Sequence, residues 1–368
     1  MIKSVIVGTL VLFILSTYGL NYDNTINRPG IEIDGKKIRA YASIEGDSIY
    51  LPLEDVCKAL GYNVDKSQND EVVSVTKPGK SILIDLKNYK ITVNDHEYYI
   101  TEEYADIVFD ESEDIENSTY MKDDFFSDNL GLKISLDKKS AKVIVKSIKE
   151  NPIFIRTVKE TNETDRIKIT LKFPQIEGLS DKSAEDRINS ILRGAAEAAR
   201  DEGQKNAEYF EEGTDLSATS PNKHEVYFDY RMKYNQNGLL SVVLFNYQYT
   251  GGAHGITVQS SYTFDLKTGE EYKFKDLMKA DADYVTFISN VVKQKIDERI
   301  KIGLLPNYLL TPFTAIRDDQ DFYLSNNGVV VYFQQYEYFP YAAGIQEFVV
   351  DYTEFSNMLK PEFSFLYK

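Results

Sequence analysis

The sequence predicts an α+β protein: a repeat of small hairpin-helix-hairpin units followed by an antiparallel sheet packed with two helices. Three observations lead there. Runs of strict apolar alternation recur along the chain, punctuated by Asp-Gly, Asn-Asp and Lys-Thr-Gly turns. Two stretches of the second half instead carry apolar residues at helical spacing. Finally, 368 residues exceed what one core usually fills, and 42% hydrophobic with 27% charged residues is the composition of a folded chain.

The first element is MIKSVIVGTLVLFILSTYGLNYDN. One lysine precedes an apolar run from Val5 to Leu15, and Ser16, Thr17 and Gly19 follow as small and polar residues. That is the layout of a signal peptide, with an apolar core shorter than the ~20 residues of a membrane span. Residues 1–20 therefore read as a signal peptide or an N-terminal anchor. The expected destination is outside the cell: secreted, cell-wall associated or tethered to the outer face of the membrane, which the chain meets only through this segment. No cysteine lies near enough to carry a lipid.

Residues 31–148 contain an internal repeat. IEIDGKKI (31–38) and ITVNDHEYYI (91–100) each read as strand, tight turn and returning strand. IYLPLEDVCKALGYNVDKSQNDEVVSV (49–75) then aligns at equal length with TYMKDDFFSDNLGLKISLDKKSAKVIV (119–145). Each member holds a short helix ending at Leu-Gly, a strand, a polar turn and a second strand. These residues resemble the bacterial surface module named for the copper amine oxidase N-terminal domain. The resemblance implies a non-catalytic spacer or wall-associated unit. His96 is the single histidine of this half, too few for a three-histidine copper site. Between the copies, DESEDIEN (110–117) offers carboxylates at short spacing, but it lacks the glycine of an EF-hand loop and reads as a solvated acidic loop.

A charged segment meets Pro152 at the next boundary. RIKITLKFP (166–174) alternates as a strand, and a helix follows from the capping residue Ser180 to about Phe210, with Ile188, Ile191, Leu192, Ala195, Ala196 and Ala199 on one face. After a polar turn at 217–223 come three strands: VYFDYRMKY, LLSVVLFNYQY and ITVQSSYTFDL. A second helix is expected over 276–302, with Tyr284, Ile288, Val291, Val292, Lys295 and Ile296 near one stripe. FYLSNNGVVVYFQQYEYFPYAAG and QEFVVDYTEF complete the sheet.

YTGGAHG, YTFDLKTGEEYKFKDLM and VVVYFQQYEYFPYAAGIQEFVVDY are similar, in this order, to blocks of the DUF3298 domain (221–368 here), and 150–220 resembles the companion DUF4163 region. Such domains occur outside the bacterial membrane, in front of peptidoglycan deacetylase domains and as the sensor part of an anti-sigma factor that recognises lysozyme. Only Met1 to Lys3 precede the apolar run, and the chain closes at Lys368 soon after the last block. Neither a sigma-factor hold nor deacetylation is therefore expected; what the resemblance implies is recognition.

Composition narrows the partner. Lys+Arg 42 against Asp+Glu 58 leaves −16, which excludes a sequence-independent grip on nucleic acid and suits a basic protein. The lone Cys57 forms no internal disulfide, and no CxxC, HExxH or GxSxG is present to announce metal or nucleophilic chemistry. No cofactor, metal or catalytic residue is expected. Among 27 Tyr and 20 Phe, the candidate binding residues are Tyr249, His254 and Tyr262 around the glycine-rich loop, with Tyr336, Tyr338 and Tyr341 in the aromatic run. His254 reads first as a turn residue, and alternate tyrosines of that run read equally as core. The function expected is non-enzymatic, extracytoplasmic binding of peptidoglycan or of a basic wall-active protein such as lysozyme; the rival is an enzyme or accessory subunit of cell-wall glycan metabolism.

Overall fold

The computed structural model describes residues 28–45, 48–67, 71–99, 108–109, 119–209 and 223–367. The signal-like segment 1–20, the acidic run 110–117 and most of the polar turn 217–223 lie outside them. The protein is α+β throughout.

The first module runs β1 (Gly30–Ile33), β2 (Lys36–Tyr41), β3 (Ser43–Glu45), β4 (Ser48–Pro52), α1 (Leu53–Ala59), β5 (Asn63–Lys66), β6 (Val72–Lys77), β7 (Lys80–Asp85), β8 (Lys90–Val93), β9 (His96–Tyr99), β10 (Val108–Phe109), β11 (Thr119–Lys122), α2 (Asp123–Leu130), β12 (Leu132–Asp137) and β13 (Lys142–Ser147). Asp34 and Asn94 take positive φ (47° and 53°) in the β1–β2 and β8–β9 turns, a conformation Asp and Asn tolerate better than other side chains. Three sheets result: β12-β13-β1-β2, β10-β11-β4-β3 and the meander β5 to β9. The two ends meet, because β1 pairs in parallel with β13 from Gly30↔Lys142 to Ile33↔Val145. One core follows, with Val56, Cys57, Val75, Ile84, Phe125, Phe126 and Val145 all buried in it. Burial, and then the neighbouring Glu54, push the Cys57 thiol up to about 12, so it behaves as an inert apolar group.

The second part begins with β14 (Phe154–Glu163) and β15 (Ile167–Glu177), passes through α3 (Lys182–Tyr209), and returns as β16 (His224–Gln236), β17 (Leu239–Tyr249), β18 (Ile256–Asp265) and β19 (Glu271–Tyr272). These six strands form one sheet in chain order. Helix α3 is capped by Asp181, whose carboxylate accepts from the backbone N–H of Ser183 (2.9 Å), rather than by Ser180. Its stripe Ile188, Leu192, Ala196 and Ala199 packs on Ile169, Leu171, Phe173 and Phe228 of the sheet. One pairing departs from the antiparallel expectation: β15 and β16 run parallel, Ile169 opposite Val226. Helix α3 is the crossover that makes this possible, since it carries the chain back to the starting end of the sheet.

The last part is α4 (Tyr284–Lys301) with a sheet of β20 (Phe322–Leu324), β21 (Val329–Phe333) and β22 (Gln346–Val350). Helix α4 starts later than residue 276, which belongs to a short 3-10 turn at Phe274–Leu277; the Asp283 carboxylate caps it, accepting from Thr286 N–H at 3.2 Å. Tyr284, Ile288, Val292 and Ile296 meet Phe333, Phe348 and Val350 in its core. The segment after β21 docks on the edge of β18: Gln335 Oε1 accepts from Thr257 N–H and Gln334 Oε1 from Gln259 N–H, both at 3.0 Å.

The first module seats on β16, β14 and the β20–β21 turn through polar contacts. Lys233 and Asp128 form a buried ion pair at 2.9 Å. The Asn326 amide donates to the carbonyls of Ser127 (3.3 Å) and Leu132 (3.1 Å), and the Asp95 carboxylate accepts from the Thr157 hydroxyl at 3.2 Å. Breaking a buried pair strands a charge. Asp128→Ala is expected to cost about 3–5 kcal/mol in urea unfolding, whereas Glu163→Ala, which breaks the exposed, solvent-screened pair with Lys223, should leave the midpoint nearly unchanged; equal midpoints for the two variants would contradict this account.

Candidate functional site

The β17–β18 hairpin is set by its glycines. Gly251 and Gly252 take φ of 98° and 96°, which side chains rarely adopt. Gly255 is required for a different reason: a Cβ there would stand 2.5 Å from the Tyr247 ring and 2.6 Å from the carbonyl of Gln248. Within this loop the Tyr249 hydroxyl donates to the carbonyl of Gly252 at 3.0 Å, bracing the turn. His254 donates through Nδ1–H to the carbonyl of Gly255 at 3.0 Å, and its Nε2 faces the Tyr336 hydroxyl at 3.5 Å.

The exposed His254 ring stacks on Tyr341, centroids 3.8 Å apart and 18° from parallel. Tyr336, at 5.7 Å from Tyr341, completes the cluster and is 48% exposed. Its backbone sits at φ 66°, an uncommon conformation for a bulky residue that redirects the chain after β21. Of the six residues expected at a binding face, His254, Tyr336 and Tyr341 thus meet, with Tyr249 holding their loop. Tyr338 lies apart and turns inward, edge-to-face with Phe313 (5.4 Å) and Phe333 (4.9 Å). Tyr262 packs beside Phe264 on the core under α3.

Sequence reasoning missed what lies next to this cluster. A groove of about 670 Å³ opens between the first module and the six-stranded sheet, and Tyr341 forms part of its wall. Its floor carries Tyr227, Asp229 and Arg231 of β16 with Phe245 and Tyr247 of β17; Tyr99, Lys122 and Asp124 come from the first module. The run VYFDYRMKY held the signal, because Asp229, Arg231 and Lys233 alternate along one strand.

At the groove's base Asp229 is buried and uses both oxygens. One accepts from His96 Nε2–H at 2.7 Å and from the backbone N–H of Tyr230 at 2.9 Å; the other accepts from the Tyr227 hydroxyl at 3.1 Å and lies 3.5 Å from the Arg231 guanidinium. Lys172 donates to that same tyrosine oxygen (3.0 Å) and to the carbonyl of Glu97. The His96 ring lies flat on Tyr230, 4.1 Å away at 4°, and Arg231 covers the Tyr98 ring at 3.8 Å. Burial pushes the His96 pKa down; the carboxylate of Asp229 opposes that, and the charges of Arg231 and Lys172 reinforce it, so the imidazole is neutral. Burial alone would raise Asp229, but the His96 hydrogen bond and the charge of Arg231 outweigh it and hold the carboxyl below its usual range.

Comparison with known proteins places the chain. The anti-sigma-V factor RsiV of Bacillus subtilis (strain 168) is 31% identical over 209 residues, spanning 54% of this chain and 68% of RsiV. The chain belongs to the RsiV family. Three family models match along it: the copper amine oxidase N-terminal domain over 32–145, the deacetylase PdaC model over 160–257 and DUF3298, a protein family of unknown function, over 275–353. The peptidoglycan-N-acetylmuramic acid deacetylase PdaC of Bacillus subtilis (strain 168) is 24% identical over 143 residues, 38% of this chain, and the chain spans only 30% of that protein. A solved DUF3298 family protein from Bacteroides fragilis aligns with a TM-score of 0.45 at 18% identity, covering 58% of this chain and 96% of that one. Within this RsiV relative the ring cluster joins His254 from the PdaC match to Tyr336 and Tyr341 from the DUF3298 match, and the groove adds Tyr99, Lys122 and Asp124 from the third.

The buried network makes stability depend on acid. His96 takes a proton near pH 6.5 when unfolded and resists it when folded. Its contribution is therefore complete above that value and is lost as pH falls through the lower folded pKa; Asp229, also held low, acts in the same direction below about pH 4. Melting temperatures measured from pH 8 to 5 should decline in the wild type, and His96→Asn should start lower and lose most of the slope between pH 7 and 5.5. An unchanged slope in the variant would assign the acid sensitivity elsewhere.

Proposed function

We propose that this RsiV-family chain is a non-enzymatic, extracytoplasmic binding protein of the bacterial cell envelope, recognising peptidoglycan or a basic wall-active protein such as lysozyme. The observation that carries this reading is the exposed ring cluster of His254, Tyr336 and Tyr341 beside an open groove. Rigid aromatic area of this kind gives contact at low entropic cost. The envelope setting is supported by the likeness to RsiV and to PdaC, whose substrate is named as peptidoglycan, and by the export-like residues 1–20.

The carboxylates nearby favour binding over hydrolysis. A glycosidase needs one neutral acid and one free carboxylate across the substrate. In the groove Asp229 is tied as described, Glu347 accepts from Gln259 (2.7 Å) and Tyr323 (2.9 Å), and Asp124 pairs with Lys122 at 3.1 Å. The neighbouring Asp123 carboxyl is raised to about 8 by burial and then by Asp124, but it accepts from the backbone of Ile49, and Asp124 is the one that lines the groove. Asp318 and Asp319 are exposed, the latter 3.5 Å from Arg317.

Purified protein lacking residues 1–20 is expected to be retained on insoluble peptidoglycan or to bind lysozyme in a salt-sensitive manner, without releasing soluble wall fragments. His254→Ala and Tyr336→Ala should weaken that binding while leaving the melting temperature within a few degrees. Binding to neither material overturns the proposal, and fragment release points to the enzymatic rival.

A further inference from the structure

We infer that the groove is a saccharide site, seating a short, neutral, acetamido-bearing pyranose chain between the first module and the six-stranded sheet. This rests on the envelope-binding reading above and names the ligand chemistry of its inner part. Its volume of about 670 Å³ falls within the ~300–1,000 Å³ usual for small-ligand sites.

Ring faces come first. Tyr99, Tyr227, Phe245, Tyr247 and Tyr341 all line the groove, and none of them is buried. A pyranose presents a face of C–H groups that packs on such rings, while its hydroxyl and acetamido groups point sideways. Sideways partners are present: the amides of Gln259, Gln335 and Gln346 and the backbone around Gly344 share the lining. Two of those partners are fixed in advance. Gln259 is held by Glu347 at 2.7 Å and Gln335 by the backbone of Thr257 at 3.0 Å, so less ordering is lost when a ligand arrives.

Charge then separates the possible ligands. The lining holds Lys122, Arg231 and Arg299 against Asp124, Asp229 and Glu347, three of each sign, in a chain whose formal charge is −16. A groove built for a basic peptide would share the acidity of the rest of the surface, and one built for phosphates would be cationic. Balanced charges beside stacked rings fit a neutral polar ligand. A basic protein would engage the acidic exterior and the outer ring cluster instead.

The test is calorimetric titration of the full protein with the tetramer of N-acetylglucosamine at low and high salt, alongside the peptidoglycan and lysozyme assays. Saturable one-to-one binding is expected, with an affinity that moves less than about twofold with salt. Tyr99→Ala and Tyr341→Ala should each weaken it roughly tenfold, and Tyr89→Ala, at an exposed tyrosine outside the groove lining, should leave it within about twofold. Tyr99→Leu keeps apolar bulk without the ring and serves if the alanine variant melts early. Retention on peptidoglycan or lysozyme with no tetramer binding would overturn this inference and leave the proposed function standing. Tetramer binding that ignores Tyr99 would likewise remove the groove as the site. Failure of all three ligands would take both readings down together.

Discussion

A carboxylate placed inside a sheet costs several kcal/mol unless its lone pairs are used and its charge is met. Asp229 meets that condition only by borrowing from both sides of an interface. His96 arrives from β9 of the first module, while Tyr227 and Arg231 stand beside it on β16. Arg231 in turn lies over Tyr98, and Lys172 reaches the carbonyl of Glu97, so the same few residues set how the module sits on the sheet. The groove exists because that seating leaves a gap along Tyr99, Tyr227 and Phe245. Packing, electrostatics and the groove are consequences of one arrangement of polar groups.

That dependence explains which parts of the molecule were legible in the sequence. Strands β16, β17 and β18 follow the alternation of their residues, and the hairpins at Asp34 and Asn94 follow their turn chemistry, because both are decided locally. The parallel pairing of β15 with β16 was hidden, since a strand's partner across a long helix leaves no mark on either segment. Nothing within VYFDYRMKY distinguishes Asp229, Arg231 and Lys233 from the charges on an ordinary solvated strand face. They became interior only because another module covers them, and His96 stands 133 positions from the aspartate it bonds.

The aromatic run shows the same limit at finer scale. Tyr336 and Tyr338 are two residues apart and would share a face in a continuous strand. Strand β21 instead ends at Phe333, and the left-handed conformation of Tyr336 sends that ring outward and Tyr338 into the packing of Phe313 and Phe333. For His254, the sequence offered a turn residue and a recognition residue as alternatives. The structure gives it a turn bond to Gly255 and an exposed stacked ring at once, so the two descriptions are compatible.

The parallel pairing of β1 with β13 has a mechanical meaning. A chain pulled from the front of β1 and the back of β13 slides those two strands past each other, and the ladder from Gly30↔Lys142 to Ile33↔Val145 carries the load as a whole. An antiparallel closure would have opened like a zipper, one bond after another. Tension applied at the two ends of the first module thereby loads this ladder in shear, along the strands rather than across them.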